Sequence, residues 1–269
     1  MLVIGENLNA SNKSVGQAIG SMNRDFIETL AKKQDAAGAD FIDVNVGLSP
    51  GSWGTPEQAM EWFVETVQSV TRKPLTIDSE TPGVIAAGLS KYRGDRVMIN
   101  SVNAEVPRLQ AIGRLAAERQ AYLVALAMGD AGIPKTVEER LAACDLIMKH
   151  LNQMGISEEK VLFDPLVLPV CVDTTQAVIT LKTIEGLKAR FPEAGTIIGL
   201  SNVSYGLPQR DMVNRVFLMM ASAVGLDAAI LNPLDARMMS FVKAARLLTG
   251  KDTGCRSYMK AFRAGALVG

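Results

Sequence analysis

Apolar positions along this chain follow two alternating rhythms. Short runs of β-branched and other apolar residues occur at LVIG (2–5), FIDVNV (41–46), LTID (75–78), VMINS (97–101), YLVALA (122–127), VLFDP (161–165), TIIGLS (196–201) and AAILN (228–232). Between them lie longer stretches with apolar residues three and four apart: DFIETLAKKQDAAGA, TPEQAMEWFVETVQSVTRK, TPGVIAAGLSKY, EVPRLQAIGRLAAERQ, TVEERLAACDLIMKHLNQMG, TTQAVITLKTIEGLKARF, RDMVNRVFLMMASAVG and DARMMSFVKAARLLTG. The short runs predict strands and the long stretches predict helices, several of which open on Thr or Asp and close near Gly. Strands that are almost entirely apolar are buried on both faces, and their alternation with helices implies parallel pairing through βαβ crossovers. Eight such units predict a closed (β/α)8 TIM barrel, a single domain over residues 1–269, close to the ~250 residues typical of that fold. A doubly wound open sheet would carry G-x-G-x-x-G after its first strand, and GENLNAS does not have that form.

In a parallel barrel all strands point the same way, so their C-terminal ends share the face where active sites sit. Here those ends carry Glu6 and Asn9, Asp43 and Asn45, Asp78, Asn100, Asp164, Ser201 and Asn202, and Asn232; the fifth strand alone has no polar tip. One Asp after a strand is commonly a helix N-cap, and Asp78, followed by SETPG, reads as well that way as a ligand-binding group. A nearly complete ring is harder to explain by caps. Asp43 and Asn45 interrupt an apolar run and project to the same side by the period of two. Lys and Arg are absent from the predicted strand tips and no Gly-rich cradle follows the seventh or eighth strand, which argues against a phosphorylated substrate. A carboxylate in a partly dry pocket pairs well with two adjacent N–H groups, as in an aminopyrimidinone, with Asn and Ser completing a mixed donor and acceptor edge. Oxygen ligands from Asp, Glu and Asn also suit magnesium or calcium, although amides dilute the acids and the set is spread over many strands.

Composition narrows the partners. Hydrophobic residues make up 48% and charged residues 21%, enough for a large core without staples. Lysine plus arginine balances aspartate plus glutamate at 28 each, so the summed field attracts neither nucleic acid nor an anionic membrane. No run of 18 apolar residues and no basic leader is present, and the expectation is a soluble, cytoplasmic protein. Cys144, Cys171 and Cys255 have no C-x-x-C spacing and read as reduced, buried thiols. His150, the single histidine, falls near the end of a helix, which excludes histidine-based triads and metal sites needing two histidines. Met219-Met220 and Met238-Met239 read as helix core or interface filler rather than a metal site, and Trp62 as packing; Trp53 sits in a loop facing a pocket or a contact surface. Lys135 is either a cation for an acidic ligand tail or simply part of a helix start.

Taken in order, GENLN (5–9), DVNVG (43–47), IDS (77–79), MINSVNAE (98–105), FDPLVLP (163–169), GLSNVS (199–204) and GLDAAI (225–230) closely resemble the pterin-binding methyltransferases that use methyltetrahydrofolate and a corrinoid protein. The resemblance covers nearly the whole chain. It implies a homodimeric barrel of the dihydropteroate synthase superfamily, with Asp78, Asn100 and Asp164 holding the pterin, Asn202 beside the methyl-bearing nitrogen, Ser201 adjacent and Arg210 a few residues on. It implies methyltetrahydrofolate or tetrahydrofolate as substrate and a corrinoid (cobalamin) carried by a separate protein, the methyl group moving in either direction, with an O-demethylase setting favoured. No metal ion is expected in the site. Dihydropteroate synthase itself resembles the chain less, because it ends its seventh strand in a Ser-Arg-Lys-like motif where this chain has Ser201, Asn202 and Val203. Tyr205-Gly206-Leu207-Pro208 and Met128-Gly129-Asp130-Ala131 depart from the more polar loops expected in the closer family. The rim is nevertheless expected to be polar and open. Two other readings of the same ring are a pterin carrier or corrinoid-docking subunit without catalysis, and a metal-dependent aldolase or hydrolase.

Overall fold

The computed structural model describes residues 1–47, 54–130 and 132–269; Trp53 and Ala131 lie outside the described residues. Eight strands, β1 (Leu2–Gly5), β2 (Phe41–Asn45), β3 (Leu75–Asp78), β4 (Val97–Val102), β5 (Tyr122–Leu126), β6 (Val161–Asp164), β7 (Gly195–Gly199) and β8 (Ala228–Leu231), form a closed barrel in sequence order. All pairings are parallel, and β8 returns to β1 with Leu2 opposite Ala228 and Gly5 opposite Leu231. The (β/α)8 barrel expected from the periodicity is the fold observed.

Around it lie α1 (Lys13–Gly20), α2 (Arg24–Ala36), α3 (Pro56–Gln68), α4 (Pro82–Lys91), α5 (Val106–Arg119), α6 (Val137–Gln153), α7 (Gln176–Arg190), α8 (Arg210–Ala223), α9 (Ala236–Leu248) and α10 (Arg256–Arg263). Local chemistry starts several of them. Thr55 and Thr136 each form a reciprocal capping box, with Gln58 and Glu139, and Asp235 caps α9. Two helices escaped the sequence reading. The eight-residue α1 buries only Val15, Ala18 and Ile19, and α10 buries only Ala261, so neither shows a long apolar stripe.

The lower barrel interior is filled by Ile4, Phe41, Met98, Leu162, Ile197 and Ala228, all at most 5% exposed. Two residues further along the strands, on the same inward parity, stand Glu6, Asp43, Asn100, Asp164, Gly199 and Ile230. The core therefore changes from apolar to polar within one inward step as the strands approach their C-terminal ends. At the opposite end, ion pairs lock the first and last units. Arg246 Nη2 donates to the Met1 carbonyl at 2.6 Å and to Asp40 Oδ2 at 3.1 Å, and Asp227 receives Lys188 at 2.9 Å and Lys251 at 3.1 Å.

Other expectations meet mixed outcomes. Met238 and Met239 are buried, Trp62 is packed, and His150 lies in the last turn of α6. Cys144 is buried, but Cys171 and Cys255 are exposed, because they sit in surface connections rather than on helix inner faces. The backbone N–H of Lys135 donates to Glu139 Oε2 at 2.8 Å, so this residue takes part in the helix start.

Candidate functional site

Strand register builds the first part of the site. Asn45 of β2 stands opposite Asp78 of β3, which stands opposite Asn100 of β4, making one polar rung across three adjacent strands. Asn45 Nδ2 donates to Asp78 Oδ2 at 2.8 Å, and Asn45 Oδ1 accepts from Gly47 N at 2.8 Å. Asp78 is not a helix cap: the N-cap position of α4 is Thr81, whose own N–H is bonded to Ser79 Oγ at 3.1 Å. Burial pushes Asp78 up to about 6, with Glu80 adding to the shift while the Asn45 hydrogen bond and the Arg108 charge oppose it. Beyond Asn100 the pairing with β5 slips by one residue, and Asn103 folds back so that its Oδ1 accepts from Glu105 N at 3.1 Å.

Across the barrel, Asp164 ends β6 opposite Leu126. Its Oδ1 accepts from Leu166 N at 2.8 Å, and burial raises its pKa to about 6 against that bond and the charge of Arg140. Behind it Arg140 is fully buried, with Nη1 donating to the carbonyls of Pro165 at 2.7 Å and Leu166 at 2.9 Å and Nη2 to Gln176 Oε1 at 2.9 Å. This arginine holds the turn that presents Asp164. Arg140, Arg108 and Arg210 show that the cations of this face come from helices, which is why the strand tips alone lacked them.

The third part lies between β7, β8 and β1. The seventh strand stops at Gly199, and Leu200–Ser204 form a 3-10 turn, so Ser201 and Asn202 stand on a turn rather than on the strand expected to reach residue 201. A Cβ at Gly199 would lie 3.1 Å from Asn202 Nδ2; the glycine leaves the room this carboxamide occupies at the exposed mouth. Glu6 accepts a hydrogen bond from Ser201 and faces Arg210, yet burial outweighs both and raises it to about 7. Arg210 donates from Nη2 to the Ser201 carbonyl at 2.7 Å and from Nε to Ser204 Oγ at 3.1 Å, so it clamps the turn. Glu6, Ser201, Arg210, Asn214 and Asn232 line a cavity of about 310 Å³, and the buried Oδ1 of Asn214 has no partner.

Deeper, Asp43 is 1% exposed and its Oδ1 is unpartnered. Burial, reinforced by the charges of Asp78 and Glu6, holds its carboxyl well above the usual range. Asn9 is tied differently. It bridges to Asn45 through the backbone, and its Oδ1 accepts from Ser11 N at 2.9 Å, a local turn that spends its side-chain acceptor. Asn232 likewise accepts from Leu234 N at 2.9 Å. The structure thus gathers Glu6, Asp43, Asp78, Asn100 and Asp164 on the inward face, sets Ser201, Asn202 and Arg210 above them, and gives Asn9 and Asn232 turn-making bonds. Sequence reasoning missed Arg108 and Arg140, which sit on helices whose periodicity marks them only as occasional polar positions. Among the described residues, no group of three or more His, Cys, Asp or Glu side chains is arranged to hold a metal ion. Carboxylates held near 6 by burial, with amide neighbours, fit a neutral heterocycle with several N–H donors.

A closed parallel barrel carries its active site at the C-terminal strand ends, and here that face holds buried carboxylates and carboxamides around a pocket. The chain belongs to the pterin-binding enzyme family, whose model matches residues 5–232. It is 32% identical over 271 residues to the methylcorrinoid:tetrahydrofolate methyltransferase of Eubacterium limosum, spanning 99% of this chain and 98% of that protein. It is 31% identical over 246 residues to the methionine synthase of Mycobacterium tuberculosis, a match that spans 86% of this chain but 20% of the synthase. Among solved structures, the dihydropteroate synthase of Xanthomonas albilineans in complex with 7,8-dihydropteroate shares the fold with a TM-score of 0.67 at 19% identity, over 94% of each chain. That of Coxiella burnetii in complex with pteroic acid has a TM-score of 0.67 at 13% identity, over 93% of this chain and 94% of the other.

Proposed function

We propose that this protein moves a methyl group between methyltetrahydrofolate and the cobalt of a corrinoid carried by a separate protein, in either direction. The observation that carries the reading is the pairing of the Asn45–Asp78–Asn100 rung and Asp164 at the strand ends with an exposed Asn202 amide above them. Asp78, Asn100 and Asp164 hold the pterin's donor-rich edge; above about pH 6 the two carboxylates are ionised and accept its N–H groups. Glu6, Asp43, Asn9 and Ser201 complete the polar wall, and Arg210 fixes the turn. The reduced cobalt of the partner supplies the nucleophile. As the methyl group passes from the pterin to the cobalt, the electron pair of the breaking C–N bond stays on nitrogen, which takes a proton from solvent to become the N–H of tetrahydrofolate, while the Asn202 amide donates a hydrogen bond that strengthens as this charge develops; in the opposite direction that N–H proton returns to solvent as nitrogen takes the methyl. An amide does this without titrating.

The setting is demethylation, with methyl arriving on a corrinoid protein and leaving on tetrahydrofolate; the name of the Eubacterium limosum relative supports this direction. The chain acts as one domain in the cytoplasm, where its free cysteines remain reduced. It works as a homodimer, a reading supported by the exposed Met212, Val216 and Met220 stripe on α8.

Titration calorimetry with methyltetrahydrofolate, paired with methyl-transfer kinetics, tests the assignment. Asp164→Ala is expected to weaken binding by about 2–3 kcal/mol, roughly 30- to 150-fold in Kd, by removing a charge-assisted acceptor. Asn202→Ala is expected to keep binding within a few fold and to lower kcat by roughly 100-fold. A folded parent that binds no pterin would sink the reading, and a parent that binds but transfers no methyl would leave a carrier instead.

A further inference from the structure

We propose that the half of the barrel rim built by the loops after β5, β6, β7 and β8 is the docking platform for the corrinoid-carrying protein, which meets it with an apolar surface. The inference rests on the methyl-transfer reading above and assigns where its partner sits.

Each of these four successive loops exposes one large apolar side chain: Ile133 is 50% exposed, Val172 82%, Tyr205 66% and Leu234 39%. Among the described residues of the loops after β1, β3 and β4, no large apolar side chain is exposed; Leu8 is buried and the rest is mainly Asn, Ser, Thr and Glu. Scattered exposed apolar residues are ordinary on a protein surface, but one on each neighbouring loop of a single rim is not scatter. The expected polar rim therefore holds for the described residues of the loops after β1, β3 and β4 and fails for the loops after β5 to β8.

The apolar half is also cross-tied. Arg140 Nε reaches the Pro134 carbonyl of the β5 loop at 3.4 Å while Nη1 holds the Pro165 and Leu166 carbonyls of the β6 loop. Val170 N donates to the Val203 carbonyl at 3.1 Å, and the Cys171 thiol donates to the Tyr205 carbonyl at 2.9 Å, joining the β6 and β7 loops. Arg215 Nη2 donates to Asp235 Oδ2 at 2.7 Å, joining α8 to the β8 loop. A platform held in one shape before contact loses little conformational entropy when a partner docks. Its occupant follows from its neighbours. The exposed Asn202 shares its loop with Tyr205, so a protein bringing its cobalt to Asn202 necessarily covers this side of the mouth.

The test is the double variant Ile133→Asp/Val172→Asp, which changes two surface side chains that take no part in the proposed pterin site. The probes are methyltetrahydrofolate in calorimetry, free reduced cobalamin as a protein-free methyl acceptor, and a purified corrinoid protein on which the parent shows saturable transfer. Expected are unchanged pterin affinity, an unchanged rate with free cobalamin, an unchanged sedimentation coefficient, and a KM for the corrinoid protein raised about tenfold or more with kcat kept. An unaltered KM overturns the platform, as does a parent no faster with the corrinoid protein than with free cobalamin. A change in sedimentation assigns the surface to a second copy of this chain instead. A parent that transfers methyl to neither acceptor overturns the functional reading itself, an outcome distinct from a variant that merely leaves KM alone.

Discussion

Arg140 shows how one residue outside the ring of strand tips sets the position of one inside it. Its fully buried guanidinium satisfies carbonyls of the turn that places Leu166 N on the Asp164 carboxylate. Replacing it with leucine removes the donors to the Pro165 carbonyl and to Gln176 Oε1, while the Leu166 carbonyl keeps only its bond from Thr180 Oγ1 at 2.9 Å. Arg140→Leu is expected to lower unfolding stability by about 3 kcal/mol in urea denaturation and to weaken pterin binding along with it. A loss in stability with pterin affinity intact would mean that Asp164 does not depend on this turn. At this scale the sequence exposed the acids because they interrupt apolar runs. It hid Arg108 and Arg140 because a cation on a helix is unremarkable until tertiary packing turns it inward.

Elements were legible where their period was strong. Strands β1 and β3 occupy the residues expected of them, and each predicted helix is present, usually one to three residues shorter at its ends. The 3-10 turn at Leu200–Ser204 was not visible, since TIIGLS reads as one apolar run and Gly199 closes it only in three dimensions. That turn decides whether Asn202 lies in the wall or at the mouth. The outer face of α8 carries a second signal of this kind. Met212, Val216 and Met220 recur every four residues and remain exposed, a stripe that no element of the described chain covers. If it forms the two-fold contact, Val216→Asp places two like charges in one interface and is expected to raise the dimer dissociation constant by about 100-fold in sedimentation equilibrium. An unshifted dimer, or a parent that is monomeric, removes α8 from that role.

Across the whole molecule, the polar mouth opposes the apolar core, and its acids tie folding to pH. Unfolded carboxylates titrate near 4, whereas Asp78 and Asp164 hold their protons to about 6 and Glu6 to about 7. Between roughly pH 4 and 7 the folded state binds more protons than the unfolded one. This contribution to stability is therefore full below about 4 and is lost as pH rises through 6 and 7. The Tm of the ligand-free protein is expected to fall between about pH 5.5 and about pH 8, and Asp78→Asn/Asp164→Asn to flatten that slope. Pterin affinity runs the other way, weakening below about pH 6 as its acceptors protonate. A ligand-free Tm that rises over the same range would show that these carboxylates are not held neutral by burial. What the sequence determined by itself is the barrel, because eight alternations of period two and period 3.6 have few other ways to bury both faces of every strand. It also determined that Glu6, Asp43, Asn100 and Asp164 share the inward parity of their strands, because that parity is counted along each strand. Only the tertiary structure decided the rung joining Asn45, Asp78 and Asn100, the arginines behind the acids, the lift of Asn202 on its turn and the division of the rim. Those depend on register between strands and on loops meeting across the barrel, distances that no local period encodes.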